Sequence, residues 1–86
     1  MKIGFATQFR RDFKKLPTVL QEEVLEKIEL FKDIKNHQTL KVHTLHGKMN
    51  RACSFSINYR YRVVFVWQIK NKFAILHNVG DHSIYK

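Results

Sequence analysis

Residues 61–68 read Tyr-Arg-Val-Val-Phe-Val-Trp-Gln, and both alternating halves of this run carry apolar side chains. A half-solvated strand hides one face only, so a run apolar on both faces belongs at the centre of a sheet. In a chain of 86 residues that requirement fixes most of the fold. Neighbouring strands have to flank this one, and helices have to supply its cover.

The flanking strands are legible. Cys53, Phe55 and Ile57 alternate with Ser54, Ser56 and Asn58, giving one apolar face and one small, polar face. A tight turn at Tyr59-Arg60 leads into the central strand, and Tyr59 and Tyr61 flank it as packing residues. Lys70-Asn71-Lys72 turns the chain again into a strand from Phe73 to Val79, which Gly80 ends. These three strands form an antiparallel meander. Near the start, Lys2 to Ala6 alternates Ile3 and Phe5 with Lys2 and Gly4, a further short strand whose partner periodicity leaves open.

The cover comes from residues 7–33. Thr7 is placed as an N-cap, with Phe9, Phe13 and Leu16 at i, i+4 and i+7 on one helical face. Pro17 breaks that helix and opens a second. Thr18 and Gln21 have capping-box spacing, Glu22 and Glu23 suit the positive helix end, and Leu20, Val24, Ile28 and Phe31 form the stripe of a helix reaching about Asp33. The segment from Ile34 to Met49 is irregular, basic and histidine-rich, with His37 read as a solvated loop residue. The expected fold is α+β in the order β-α-α-β-β-β, one domain over residues 1–86, with an antiparallel helix pair packed on a small, mainly antiparallel sheet.

Composition excludes several classes. The chain is 44% apolar and 13% aromatic, enough for a packed core and unlike a disordered segment. No apolar run approaches the roughly 18 residues of a membrane span, and "MKIGFATQF" turns polar too early for a secretory signal. Cys53 is the single cysteine, so no internal disulfide forms and a reducing, cytoplasmic location is expected. The net charge of +9 is segregated: residues 1–33 hold seven Lys/Arg and six Asp/Glu, residues 34–86 nine Lys/Arg and one acid, Asp81. A field of one sign concentrates polyanions, so nucleic acid or an acidic protein is the expected partner.

The candidate chemistry gathers on the polar strand face. The basic loop supplies Lys41, His43, His46, Lys48 and Arg51; the neighbouring strand supplies Arg62 at its turn end; the tail supplies His82, Tyr85 and Lys86. Histidines beside fixed cations suit RNA cleavage. A base takes the 2′-OH proton, an acid protonates the departing 5′ oxygen, and guanidinium or ammonium groups stabilise the phosphorane. No metal or cofactor is needed. His43 and His46 have no nearby cysteine or carboxylate to complete a zinc site. Cys53 reads as a small buried hydrophobe and His77 as a core or edge histidine.

With these residues in place, the chain resembles the RelE/ParE superfamily of type II toxin–antitoxin toxins, in its RelE/StbE and YafQ-like mRNA interferase branch. The resemblance spans nearly the whole chain. It rests on the "LPTVLQEEV" elbow, the block "LKVHTLHGKMNRACSFSINYRYRVVF" and the closing "VGDHSIYK". Its most specific parts are Leu45-His46-Gly47, Tyr61-Arg62-Val63-Val64-Phe65 and Gly80-Asp81-His82. It implies a microbial RNase-like fold and a toxin that cuts mRNA in the ribosomal A site. It also implies a monomer when free and an acidic antitoxin that wraps and silences it. His43, two residues before the leucine of the Leu-x-Gly motif, Arg62, His82 and Tyr85 would be the catalytic set. Lys41, His46, Lys48, Arg51, Arg60 and Lys86 would bind RNA phosphates. Two departures stand out: Asn58 where some members carry arginine, and Ser56 where histidine-using members carry another histidine. The ParE branch shares the fold, inhibits DNA gyrase and lacks the nuclease residues; a non-catalytic RNA-binding relic is a third reading.

Overall fold

The computed structural model describes residues 1–45 and 51–81. The elements are β1 (Lys2–Phe5), α1 (Thr7–Lys14), α2 (Thr18–Phe31), one 3₁₀ turn (Ile34–Asn36), β2 (His43–Thr44), β3 (Ala52–Ser56), β4 (Arg62–Ile69) and β5 (Phe73–Gly80). They make one five-stranded sheet in the order β1-β5-β4-β3-β2. The run that had to be central, β4, is the third strand of five. The meander is antiparallel, whereas β1 lies parallel to β5 with Lys2 opposite Phe73 and Phe5 opposite Leu76. The sheet is therefore mixed, two helices pack on it, and the architecture is α+β.

The core forms between the helices and one face of the sheet. Phe9, Val24, Ile28 and Phe31 come from the helical stripes and meet Cys53, Phe55, Ile57, Val63, Phe65, Leu76 and Val79. Phe31 is fully buried. Its ring stacks on Phe55 at 4.3 Å and 14° and meets Phe65 edge-on at 4.8 Å. Aromatic contacts of this geometry add to the burial of the rings themselves. His37 belongs to this cluster and is not a solvated loop residue. It is half-buried, stacks on Phe31 at 4.8 Å and 14°, and donates Nε2–H to the Phe31 carbonyl at 2.8 Å. That bond takes up an end carbonyl of α2 that has no helical partner. Of the turn tyrosines, Tyr61 packs against the core while Tyr59 is 92% exposed.

Several expected caps are replaced by longer-range contacts. The N-cap of α1 is Ala6, not Thr7, and it makes no side-chain cap. The Ala6 N–H still belongs to the sheet, donating to the Leu76 carbonyl at 2.9 Å, so the helix begins immediately where the β1 ladder stops. At the elbow, Pro17 is the N-cap of α2 and no capping box forms. Gln21 Nε2 instead donates across the elbow to the Phe13 carbonyl at 3.0 Å, closing the end of α1. No acid lies in the first turn of α2. Glu23 accepts from Asn58 Nδ2 at 2.7 Å, so Asn58 points toward α2 and not away from the helices. Asn58 Oδ1 also accepts the N–H groups of Arg60 and Tyr61, at 2.9 and 2.8 Å, which shapes the β3–β4 turn.

The strand β2 adds an element beyond the expected order. It pairs antiparallel with β3, His43 opposite Ser54 and Thr44 opposite Cys53. Buried Leu40 anchors the approach, and its carbonyl accepts from the Ser56 N–H at 2.8 Å. Two paired residues are too few for a periodicity to reveal.

One carboxylate completes the sheet at the β1 side. The register of β1 ends at Leu76 of β5, and beyond it Asp12 Oδ2 accepts from the Val79 N–H at 3.1 Å and Asn78 Nδ2 at 3.3 Å. Asp12→Ala leaves those donors unmatched in a half-buried setting and should cost about 1–3 kcal/mol. Asp12→Asn, which keeps an acceptor oxygen, should cost less. Urea unfolding measures this as a lower midpoint with an unchanged slope; equal midpoints for wild type and Asp12→Ala would contradict the assigned role.

Candidate nuclease site on the polar face of the sheet

Strand β3 divides the molecule. Its odd-numbered side chains, Cys53 and Phe55, enter the core, and the even-numbered Ser54 and Ser56 point to the opposite face, as alternation demands. Ser54 is fully buried, and its hydroxyl lies 3.5 Å from His43 Nε2. Ser56 accepts a 2.7 Å hydrogen bond from Arg62 Nη1. Both contacts follow from register, because His43 sits directly opposite Ser54 on β2 and Arg62 directly opposite Ser56 on β4.

The exposed imidazole of His43 is held from behind. Its Nδ1 lies 2.8 Å from the Lys41 carbonyl. A carbonyl only accepts, so Nδ1 carries the proton and the neutral ring presents Nε2 as a lone pair. Lys41 adopts φ 57°, a left-handed conformation uncommon outside glycine, and this turns its carbonyl back toward His43. The Ser54 hydroxyl is the neighbour of Nε2 on the sheet side, at the long end of hydrogen-bonding range. A ring fixed in this way can accept a proton at Nε2 without first changing tautomer.

Arg62 supplies the charge. Arg62 is half-buried and its guanidinium gives one Nη1–H to Ser56, part of a planar fork whose geometry suits phosphate oxygens. Two strand spacings and a two-residue offset put the His43 and Arg62 Cα atoms roughly 12 Å apart. Both side chains are long enough to reach a phosphodiester lying between them. The face thus carries an imidazole with its Nδ1 tied back and a guanidinium on strands two apart in the sheet.

The other expected site residues are distributed as follows. Lys41 is exposed, two residues from His43. Arg60 is exposed in the β3–β4 turn, its guanidinium 5.8 Å from the Tyr61 ring centre. Arg51 is exposed but lines a cleft with Cys53 and Trp67, on the core side of the sheet and apart from His43 and Arg62. His46, Lys48, His82, Tyr85 and Lys86 lie outside the described residues. The sequence had marked Ser54 and Ser56 only as small and polar; their pairing with His43 and Arg62 needed the register. The backbone carbonyl of Lys41 left no signal in the sequence at all.

The tautomer is measurable. Long-range proton–nitrogen correlation spectra of the neutral ring should show His43 protonated at Nδ1, the minority form of free histidine. A dominant Nε2–H pattern would mean that the Lys41 carbonyl does not hold the ring in solution.

No protein-family model and no curated protein sequence matches the chain. Solved structures do. The toxin–antitoxin complex RelBE2 from Mycobacterium tuberculosis superposes with a TM-score of 0.74 at 21% identity, covering 94% of this chain and 96% of that one. YafQ from E. coli gives a TM-score of 0.70 at 12% identity, covering 98% and 96%. The archaeal RelE–RelB complex from Pyrococcus horikoshii gives 0.70 at 16% identity, covering 93% and 92%. At such identities the likeness is one of architecture. Two helices on a five-stranded mixed sheet, matched over almost the whole of each chain, give this protein the fold of the RelE/ParE toxins.

Proposed function

We propose that the chain is the toxin of a type II toxin–antitoxin system and an endoribonuclease that cuts mRNA engaged on the ribosome. The observation that carries this reading is the tied imidazole of His43 sharing a sheet face with Arg62. In the proposed reaction His43 Nε2 takes the proton of a ribose 2′-OH. The resulting oxygen attacks the adjacent phosphorus, and Arg62 binds the non-bridging oxygens as charge builds on them. The P–O5′ bond then breaks, leaving a 2′,3′-cyclic phosphate and a protonated 5′-hydroxyl. In this proposal His82 serves as general acid or phosphate contact and Tyr85 as a stacking platform for a base, with Lys41 and Arg60 steering the RNA backbone. This chemistry runs on imidazole and guanidinium groups and calls for no metal in the site.

Single-turnover cleavage of mRNA on purified ribosomes tests these roles. His43→Ala and Arg62→Ala should each slow cleavage by about a hundredfold, the scale of acid–base and electrostatic groups. Undiminished cleavage by the folded double variant would overturn the assignment. Arg62→Lys, which keeps charge but loses the planar fork, should recover only part of the rate.

The partner proposed is an acidic, amphipathic antitoxin. One of the matched structures is described as a toxin–antitoxin complex and another as a RelE–RelB complex. On this chain, Phe5, Phe9, Phe13 and Leu25 line a groove of about 280 Å³ together with Arg10 and Lys14. Phe5 and Leu25 are 40% and 53% exposed, an apolar strip beside cations that suits an amphipathic helix with acidic flanks. The strongly basic second half adds long-range steering. Raising salt from about 50 to 500 mM should slow association markedly as the Debye length falls below 10 Å. Leu25→Glu should speed dissociation without unfolding the toxin. An on-rate blind to salt, with a dissociation rate blind to Leu25→Glu, would place the antitoxin elsewhere.

A further inference from the structure

The cleft that contains Arg51 lies at the end of β4 remote from Arg62. Thr44, Arg51, Cys53, Trp67, Gln68 and Lys70 line about 370 Å³ of space. Thr44 and Cys53 are cross-strand partners, with Oγ1 and Sγ 3.9 Å apart. Ala52 pairs with Val66, which brings the adjacent residues Arg51 and Trp67 to the same end of the two strands, where both line the cleft. The indole is fixed by its neighbours, with Phe65 edge-on at 5.2 Å and 90° and His37 at 6.0 Å. It is half-buried, so part of its surface remains available in the cleft.

We infer that this cleft is a nucleotide-binding subsite, with a base against Trp67 and a phosphate held by Arg51 and Lys70. Among the described residues the lining combines a rigid aromatic wall, two exposed cations, one neutral amide at Gln68 and no acid. A nucleotide presents the complementary set: a flat ring, polar edges and an anionic phosphate. The inference rests on the proposed RNA substrate and extends it around the sheet. Consecutive residues of a strand point to opposite faces. In the edge strand β2, His43 lies on the polar face and Thr44 lines the cleft. A single strand curving around that edge reaches from the cutting face to the cleft within a few nucleotides. The cleft then holds RNA outside the scissile step.

Trp67 is the only tryptophan in the chain, so its fluorescence reports directly on the cleft. The probe is a short single-stranded 2′-O-methyl oligoribonucleotide, which has no free 2′-OH and is not cut. Uridine monophosphate and inorganic phosphate form the other two arms. The oligonucleotide should quench Trp67 saturably. Arg51→Ala and Lys70→Ala, both at exposed positions, should each weaken that binding about tenfold, the effect of losing a hydrogen bond to a charged group. Tighter binding of the strand than of uridine monophosphate assigns the cleft to RNA; equal affinity assigns it to a free nucleotide. Inorganic phosphate alone should not quench. Absence of quenching by both nucleotide probes, or quenching indifferent to Arg51→Ala and Lys70→Ala together, would overturn the inference. Quenching that depends on Arg51 in a protein that cuts no mRNA would keep the cleft and remove the nuclease reading.

Discussion

The flat contact between Phe31 and Phe55, 4.3 Å between ring centres, is where the helical layer is fixed to the sheet. Phe31 comes from the last turn of α2 and Phe55 from β3, one residue before its end. Once these rings are stacked, the core-facing parity of β3 is set, and so is the parity of everything paired to it. A one-residue slip would bury Ser54 and Ser56 against phenylalanine and expel Phe55, so the register is held by the core. The site is the other side of that decision. Ser54 and Ser56 receive His43 and Arg62 because Cys53 and Phe55 are committed to the helices.

On that outer face the protein sets His43 and Arg62 by different means. His43 is positioned mostly by backbone, through an unusual conformation at Lys41 and the short pairing of β2 with β3. Arg62 is positioned by a side chain, the hydroxyl of Ser56. Neither arrangement demands a large or charged residue beneath it. A small polar floor keeps each of the two side chains on a strand of the sheet, where its direction is well defined.

The sequence carried the core more clearly than the site, for physical reasons. Burial on both faces marked Tyr61–Gln68 as central, and the stripes of Val24, Ile28 and Phe31 marked the cover, because periodicity is a direct consequence of burial. The parallel pairing of β1 with β5 was hidden because a strand's hydrophobic pattern does not name its neighbour. Local rules also lost to distant partners: Gln21 closes α1, Glu23 binds Asn58, and Asp12 serves β5. At the site, the residue types were legible in His43 and Arg62, while their association through Ser54, Ser56 and the Lys41 carbonyl required three dimensions. Arg51 was grouped with them by charge alone, and the structure places it in the cleft beside Cys53 and Trp67.

The central claim is that this toxin fold carries an RNA-cutting face built on His43 and Arg62. The most direct measurement is to induce the protein in cells and map the new ends of cellular mRNA. The account predicts fresh 5′-hydroxyl ends inside translated regions, gone when His43→Ala is induced to the same level. Intact mRNA accompanied by DNA damage would contradict it and point to gyrase as the target.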